Sequence, residues 1–305
     1  MTKFKPMLAA TLTDSCDDNV IMEAMQRLRY PVIVTEKIDG VRALKLNGVL
    51  VSRTLKRIPS RHLQFKSQTI PDGFDMEIFS REYTFQQIIS GVMAEEGSPT
   101  VMGLKFVPLD LFNCPKVYKI RLIEMCSASI YPFNAGVFEC LHDFMATTSK
   151  ELFDLFKRFS EPPYEGICFR LPNSPYKFGR STLKEQYLVK LAAAIIGEAE
   201  IIGFQELETN TNAATSNRLG LIERSSAKSG MIKMNMLGAL VVRDIRTNVI
   251  FNIGTGFTLE DRKRIWLEKD GTKSMLGKLA SYQSKNFGIK DKPRCPSYRG
   301  IRECW

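Results

Sequence analysis

The chain has 305 residues, 44% of them hydrophobic and 25% charged, values typical of a folded protein with room for two domains. No run is apolar for long enough to cross a bilayer and the N-terminal stretch lacks a signal-peptide pattern, so we expect no membrane contact and a cytoplasmic location. Two histidines, His62 and His142, are too few to favour a histidine triad or a multi-histidine metal site. The seven cysteines include no Cys-x-x-Cys pair, which argues against disulfide and zinc frameworks. We therefore expect any catalysis to use lysine, arginine and carboxylates.

The formal net charge is +10, which predicts an anionic partner because lysine and arginine neutralise phosphates. Basic and acidic residues are interleaved along the chain, a pattern typical of a shaped surface rather than a disordered basic tail. The charge favours nucleic acid as the partner. The alternative is that the charge is incidental and that the protein binds other proteins.

The first part of the chain predicts one helix followed by a series of strands. Asp17 or Asp18 can cap a helix, and apolar residues recur at helical spacing over residues 18–28. Asn47-Gly48 is a strong hairpin signal between two strands. Helical spacing returns over residues 136–158. The predicted strands are residues 31–35, 41–46, 49–53, 74–79 and 104–112.

The second part predicts a short strand at residues 166–170, a loop at residues 172–180 and another strand near residues 187–191. After about residue 198 the pattern changes to short strands with glycine-rich turns, with one helix over residues 259–267. Several short strands in so few residues indicate a compact β-barrel. We therefore expect an α+β chain with a domain boundary near residues 191–198.

The segment Lys37-Ile38-Asp39-Gly40-Val41-Arg42 places a lysine at the end of an apolar strand, with a glycine turn and an arginine close behind. A lysine there acts as a nucleophile if partial burial and neighbouring positive charge depress its pKa. Arg42, other lysines and a bound metal would supply that charge. The alternative is an ordinary surface hairpin.

This segment resembles the Lys-x-Asp-Gly-x-Arg motif of the covalent nucleotidyltransferases, which include ATP-dependent DNA ligases, RNA ligases and mRNA capping enzymes. Further segments resemble that family's later motifs, in the same order along the chain. They are Ser52-Arg53-Thr54-Leu55-Lys56, Asp75-Met76-Glu77, residues 107–112, Glu165-Gly166-Ile167-Cys168-Phe169-Arg170 and Leu188-Val189-Lys190.

The later part of the chain is similar to the oligonucleotide-binding (OB) barrel of the small bacteriophage-type DNA ligases, in Arg224-Ser225-Ser226, residues 238–243 and residues 251–258. Residues 292–299 resemble their basic C-terminal motif. Nothing resembles the additional domains of the NAD-dependent ligases, so ATP is the implied cofactor. The resemblance implies an ATP-grasp-like adenylyltransferase domain of antiparallel sheets with flanking helices over residues 1–194, and an OB-fold barrel over residues 195–305.

The implied reaction seals nicks in DNA. A lysine attacks the α-phosphate of ATP, AMP passes to the 5′-phosphate at a nick, and the 3′-hydroxyl displaces it. Each step is phosphoryl transfer, which depends on positioning and on neutralising phosphate charge. Mg²⁺, with Mn²⁺ as a substitute, is the implied metal because hard cations prefer carboxylate oxygens.

The resemblance assigns roles residue by residue. The implied catalytic residues are Lys37, Asp39, Arg42, Glu77, Glu165 and Lys190. Of these, Asp39, Glu77 and Glu165 would hold the metal or the ribose hydroxyls, and Arg42 and Glu77 would bind near the ribose. The nucleotide would also contact Glu36, through its backbone, and Leu109, Lys184 and Arg294. The DNA would contact Ser52, Arg53, Lys56, Arg218, Arg224 and Lys228.

Structural alternatives exist for these residues. Asp39 could stabilise a turn, Glu77 could be a solvated residue without a function, and Glu165 could end a loop. Ser52 and Arg53 suit a hairpin edge, and Arg294 and Arg299 a solvated basic tail.

Two positions depart from the family pattern. Ala192 replaces the second lysine of the last motif, so Lys184 is a candidate substitute. Leu109 replaces an aromatic residue, which leaves adenine to stack on an aliphatic face or on Phe106.

Residues 205–230 form a long polar stretch between strands, and long loops within compact domains are often functional. We expect this stretch to close around nicked double-stranded DNA as a clamp, so that deleting residues 208–222 weakens DNA binding but not lysine adenylylation. The alternative is a mobile surface loop. We expect a monomer.

Two rival functions remain open at this stage. One is an RNA ligase or a capping guanylyltransferase, which shares the lysine motif. The other is a catalytically silent nucleic-acid-binding protein, for which Ala192 is the supporting feature.

Overall fold

The computed structural model describes residues 4–130, 136–161, 164–218, 221–287 and 292–302. The chain divides into two compact units. Unit 1 comprises Met1–Ala193 together with Ser216–Leu221, and unit 2 comprises Ala194–Thr215 together with Ile222–Trp305. Within the described residues, no helix is long and apolar enough to cross a membrane.

Unit 1 contains two sheets with helices around them. Its strands are β1 (Ala10–Thr11), β2 (Val32–Glu36), β3 (Val41–Leu46), β4 (Val49–Ser52), β5 (Phe74–Phe79), β6 (Lys105–Leu111), β7 (Asp143–Ala146), β8 (Gly166–Arg170) and β9 (Val189–Ala192). Its helices are α1 (Asp18–Gln26), α2 (Arg61–Lys66), α3 (Phe85–Met93), α4 (Pro99–Met102), α5 (Tyr118–Ile130) and α6 (Ser149–Arg158).

The strands of unit 1 form a five-stranded sheet in the order β1-β9-β8-β2-β7 and a four-stranded sheet in the order β4-β3-β5-β6. All neighbours pair antiparallel except β1 and β9, which are parallel. Each sheet has its own apolar core, with Val34, Phe169 and Val189 buried on the first. Ala43 and Met76 are among the core residues of the second. Antiparallel sheets with flanking helices are therefore confirmed, with one parallel pair added.

The prediction of a helix over residues 136–158 is wrong in its first part. Strand β7 pairs antiparallel with β2, and only α6 is helical. Thr148 caps α6 by accepting from the N–H of Glu151, so its side chain marks the change from strand to helix. A short run of apolar residues fits both helical and strand spacing, and β7 is a strand because it pairs with β2. The sequence reading also missed α5, which precedes this region.

Unit 2 is built on a five-stranded sheet with one helix, α7 (Leu259–Glu268). Its strands are β10 (Ile195–Asn210), β11 (Ala214–Ser216), β12 (Ile222–Arg224), β13 (Met231–Asp244), β14 (Ile250–Ile253), β15 (Leu279–Phe287) and β16 (Pro293–Ile301). The sheet order is β14-β13-β10-β15-β16, and a bridge between Thr255 and Ser297 joins its two edges. Ile201, Leu240 and Tyr282 are buried within it. The predicted barrel is therefore present, and so is its helix, which a Thr258 capping box begins.

The polar stretch between these strands is mostly extended structure rather than a loop. Residues 206–210 of β10 pair with residues 231–237 of β13, and the short strands β11 and β12 pair with each other beyond them. We call residues 206–237 the arm. Most of its described side chains are exposed. Residues 208–218 are polar apart from Ala213 and Ala214, so the sequence carries no apolar alternation there that would predict a strand.

Candidate functional site

Lys37 lies just after β2 and is tied by backbone hydrogen bonds to the start of β8. Its N–H donates to the carbonyl of Gly166 at 2.9 Å, and the N–H of Glu165 donates to the carbonyl of Lys37 at 2.8 Å. Gly166 has a φ of +115°, and a Cβ there would lie 2.2 Å from the carbonyl oxygen of Leu191. Only glycine allows this approach. The Glu-Gly pair therefore holds Glu165 beside the lysine.

The side chains of Lys37 and Glu165 form a hydrogen-bonded ion pair. Burial pulls the pKa of Lys37 down, but the charge and hydrogen bond of Glu165 outweigh it, so the pKa lies above its ordinary value. The pKa of Lys37 is therefore raised rather than depressed in this structure. The dominant neighbour of Lys37 is the carboxylate of Glu165 rather than a positive charge.

Glu77 faces the same site from β5. It pairs with Arg42 of β3 in the antiparallel register. Burial raises the pKa of Glu77 to about 7, although Arg42 and Lys37 oppose this shift. A Cβ at Gly40 would lie 2.7 Å from Cγ of Glu77 and 2.4 Å from the carbonyl oxygen of Ile78. The glycine after Asp39 thus lets the chain pass close to the glutamate.

Arg42 is held by Asp75, which is fully buried. Nε of Arg42 donates to Oδ1 of Asp75 at 2.8 Å, and Nη2 donates to Oδ2 at 2.5 Å. Burial lowers the pKa of Arg42, but Asp75 raises it by more, so the arginine stays charged. This two-point pairing fixes the plane of the guanidinium.

These residues surround a cavity of about 260 Å³ in unit 1. Its wall contains several residues that the sequence analysis singled out: Glu36, Lys37, Arg42, Arg53, Glu77, Leu109 and Lys190. It also contains residues that the analysis did not assign: Met7, Asp75, Asp110, Tyr118, Asp143, Arg170 and Arg180. Cationic and carboxylate side chains meet here on a partly apolar wall, as in pockets that bind charged small molecules.

Glu36 is buried beside the cavity, and its carboxylate has a partner on an exposed side chain. Oε1 of Glu36 lies 2.8 Å from Nδ1 of His142. Oε2 lies 3.7 Å from Nη2 of Arg81. These contacts of β2 with the segments after β5 and before β7 could not be foreseen from sequence, because the residues are far apart along the chain.

A second buried network lies at the cavity wall and was missed. Asp110 accepts from Nε and Nη2 of Arg121 at 2.6 and 3.0 Å, and also from Nη1 of Arg170. The guanidinium of Arg170 lies 4.0 Å from the ring centroid of Tyr118. Arg121 is fully buried. The sequence feature that could have indicated this network is a charged residue at the end of an apolar strand. Asp110 and Arg170 both lie near strand ends, and buried charges need partners.

The three carboxylates expected to hold a metal are not gathered into one group. Glu165 contacts Lys37 and Glu77 lines the cavity, whereas Asp39 is not part of its wall. Among the described residues, no three histidine, cysteine or acidic side chains are arranged to hold a metal ion. A site for Mg²⁺ would therefore use one or two carboxylates together with substrate phosphates, which is its usual manner of binding.

The remaining nucleotide residues lie in different places. Leu109 lines the cavity, but Phe106 is fully buried in the core, so the structure does not place it for stacking. Lys184 is exposed and is not part of the cavity wall, and its substitution for the lysine missing at Ala192 stays a prediction. Arg294 lies on β16 of unit 2, opposite Lys285.

The predicted DNA-binding residues of unit 1 lie on a tight turn after β4. Ser52 is buried, and its hydroxyl lies 3.0 Å from that of Thr54, so it shapes the turn. Leu55 has a φ of +66°, a left-handed conformation that is uncommon for leucine. Arg53 and Lys56 are exposed, and Arg53 also lines the cavity. Further along the chain, Arg218, Arg224 and Lys228 are exposed, and all three belong to the arm.

Comparisons with known proteins agree with this geometry. Residues 230–302 match the family model of the DNA ligase OB-like domain. The structure of the Chlorella virus DNA ligase-adenylate is 27% identical, covers 99% of both chains and has a TM-score of 0.54. A Lig E DNA ligase shares the fold at 19% identity, with 89% of this chain and 92% of that chain covered and a TM-score of 0.65. The ATP-dependent DNA ligase of bacteriophage T7, in complex with ATP, shares it at 12% identity, with 98% of both chains covered and a TM-score of 0.50. No curated protein matches the sequence.

The resemblance to the small viral-type ATP-dependent DNA ligases is therefore confirmed. The chain has their two-domain α+β architecture, including an OB-fold domain. The similarity to solved ligases extends over nearly the whole chain. It supports a DNA ligase.

Proposed function

We propose that this chain is an ATP-dependent DNA ligase that seals nicks in duplex DNA and stores AMP covalently on Lys37. The observation that carries the proposal is the position of Lys37, which lies at the wall of a charged cavity and is ion-paired with Glu165. The whole-chain similarity to a viral ligase-adenylate supports it. DNA replication, repair and recombination are the processes that such an activity would serve.

In the first step, Nζ of Lys37 forms a bond to the α-phosphorus of ATP and the bond to pyrophosphate breaks. The lysine must lose a proton to attack, and the carboxylate of Glu165 is the group in contact with it. Arg42 and Lys190 line the cavity and neutralise phosphate charge. Leu109 and the backbone at Glu36 are assigned to the base.

In the later steps, AMP moves from the lysine to the 5′-phosphate of the nick. An oxygen of that phosphate attacks the phosphorus of AMP, and the lysine leaves with a proton. The 3′-hydroxyl then attacks the activated 5′-phosphate and AMP departs. Each step is phosphoryl transfer, so the residues of the cavity act by orientation and by charge.

Mg²⁺ would supply further neutralisation of phosphate charge during these steps, and Mn²⁺ is expected to substitute for it. Glu77 and Glu165 fit as ligands because both carboxylates lie beside Lys37 and offer the hard oxygen donors that Mg²⁺ prefers. Asp39 remains a candidate ligand from the family resemblance.

Duplex DNA is the expected macromolecular partner, held by the basic residues of the turn after β4 and of the arm. Contacts to phosphates would make the affinity fall with salt and leave little sequence preference. We propose that the arm acts as the clamp. We expect one chain to act on one nick.

The proposal is tested by incubating the protein with ATP labelled at the α-phosphate and with Mg²⁺, then measuring label on the denatured protein. The wild-type chain should take label from ATP and none from NAD⁺, and Lys37→Ala should take none. Lys177→Ala is the matched control, because Lys177 also pairs with a glutamate but is not part of the cavity wall. It should label as the wild type does.

The labelled protein is then offered nicked DNA and nicked RNA in parallel. Sealing of nicked DNA supports the ligase, whereas preference for nicked RNA would assign an RNA ligase. A folded wild-type chain that takes no label, after pyrophosphate treatment to remove any AMP already bound, would overturn the proposal. The chain would then be a nucleic-acid-binding protein.

A further inference from the structure

A chain of hydrogen bonds runs from the backbone of Met7 to the guanidinium of Arg42. The N–H of Met7 donates to the hydroxyl of Tyr176 at 3.0 Å, and that hydroxyl donates to Oδ2 of Asp75 at 2.7 Å. The same carboxylate accepts both N–H groups of Arg42 described above. Met7, Asp75 and Arg42 all line the cavity, and Tyr176 joins the first two.

Because Asp75 is buried, the loss of any of these hydrogen bonds should be costly. Its side chain is fully buried, and a buried carboxylate is costly unless its oxygens are hydrogen-bonded. Without the tyrosine hydroxyl, Oδ2 would keep only its bond from Arg42, and the N–H of Met7 would lose its acceptor. Burial, reinforced by Asp75, raises the pKa of Tyr176 well above its ordinary value, so the hydroxyl keeps its proton near neutral pH.

The orientation of Asp75 sets the orientation of Arg42. A guanidinium is planar, and Arg42 uses the Nε and Nη2 edge to bind Asp75. Its Nη1 group therefore points away from Asp75, and Arg42 lines the cavity. A rotation of the Asp75 carboxylate would turn the whole guanidinium plane with it.

We propose that Tyr176 is a positioning residue for the nucleotide: its hydroxyl fixes the carboxylate of Asp75, and Asp75 in turn fixes the guanidinium of Arg42 toward the phosphates. This inference rests on the proposed binding of ATP in the cavity. It assigns a role to a loop tyrosine that has no place in the sequence motifs. The Met7 backbone bond also makes the N-terminal segment part of the same arrangement.

The test measures ATP binding by equilibrium dialysis with every variant built on Lys37→Ala, so that ATP binds without reacting. Tyr176→Phe removes only the hydroxyl. Its loss should raise the Kd for ATP about three- to tenfold, the size of one ordinary hydrogen bond, because Tyr176 acts on the nucleotide only through Asp75 and Arg42. Tyr30→Phe is the matched control, because the Tyr30 hydroxyl makes one hydrogen bond, to the carbonyl of Met25 at 2.9 Å, outside the cavity wall. It should leave the Kd unchanged.

Arg42→Lys completes the experiment because lysine cannot make the two-point contact. If Tyr176 acts through the guanidinium, Tyr176→Phe should add little to the Kd of the Arg42→Lys variant. The inference would be overturned by equal Kd values for Tyr176→Phe and Tyr30→Phe. Fully additive effects of Tyr176→Phe and Arg42→Lys on the Kd would overturn it too, and so would a lower melting temperature of Tyr176→Phe with unchanged ATP binding. If the Lys37→Ala parent binds no ATP while the wild type also takes no label, the proposed function itself fails.

Discussion

Lys37 and Glu165 form a hydrogen-bonded ion pair whose backbones are also tied together, so the expected nucleophile rests in its charged form. The carboxylate more than offsets the effect of burial and raises the pKa of Lys37. The charged amine has no lone pair for attack. If Lys37 is the nucleophile that we propose, binding of ATP should weaken this pair.

Glu165→Gln should lower the pKa of Lys37, because burial remains while the opposing carboxylate is lost. We expect the midpoint of amine reactivity to move down by at least about one pH unit. Competitive labelling of the ligand-free protein with acetic anhydride over a pH series, read by mass spectrometry, measures this midpoint. The Glu185→Gln variant, which removes the partner of Lys177, should leave the Lys37 midpoint in place. An unchanged midpoint in Glu165→Gln would refute the role of the pair.

Glu77 should make the folded protein less stable as the pH rises. Its pKa in the folded state is about 7, raised from 4.5 chiefly by burial. A carboxyl with a raised pKa binds its proton more tightly when folded, so its contribution to stability is complete below about pH 4.5 and is lost as the pH rises through about 7. Glu77→Gln removes this loss, so its free energy of unfolding at pH 8 should exceed that of the wild type by about 2–3 kcal/mol.

Chemical denaturation with EDTA at pH 4.5 to 8 measures this difference between the Glu77→Gln variant and the wild type. Glu185 provides a control of opposite sign, because hydrogen bonding to Lys177 lowers its pKa. Its stabilising contribution is present above its ordinary pKa and is lost as the pH falls, so Glu185→Gln should be less stable than the wild type at neutral pH. A constant difference between Glu77→Gln and wild type across the series would contradict the assignment.

The residues around Lys37 show which parts of the candidate site could be predicted from the sequence and which could not. The motifs placed Lys37 directly after a strand and Glu77 and Lys190 on strands, and all three line one cavity, because each lies in or beside a segment with clear β pattern. Their chemical roles remain predictions. Asp110, Arg121 and Arg170 escaped notice, because what joins them is a buried contact between β6, α5 and β8 rather than any spacing along the chain.

Asp110→Asn should destabilise unit 1 strongly. The carboxylate accepts hydrogen bonds from two arginines that are themselves buried, and its loss leaves two cations without their counter-charge. Breaking a buried ion pair from one side costs about 3–5 kcal/mol. Chemical denaturation measures the loss. Asp154→Asn is the control, because Asp154 lies on α6 away from this network and should cost little. A loss below about 1 kcal/mol for Asp110→Asn would show that the network is dispensable.

Replacing the outer part of the arm should weaken DNA binding while preserving lysine adenylylation. Deleting residues 208–222, the segment chosen from sequence, would cut into β10, which continues to Asn210. Asn210 pairs directly with Met231, so an Asn-Gly turn in place of residues 211–230 keeps both strands paired. This replacement removes Arg218, Arg224 and Lys228, and the Kd for nicked duplex at moderate salt should rise at least about tenfold.

The control for the arm replacement removes the same number of basic residues elsewhere in the chain, by changing exposed Lys263, Lys273 and Lys278 of unit 2 to alanine. Binding is measured by fluorescence anisotropy over a salt series, with adenylylation measured in parallel. If the arm contacts phosphates, its loss should reduce the slope of log affinity against log salt by about 0.9 for each contact removed. The triple-lysine control should bind more tightly than the arm variant. Equal losses in the two variants would mean that the arm adds only general positive charge, and an unchanged Kd in the arm variant would remove the clamp altogether.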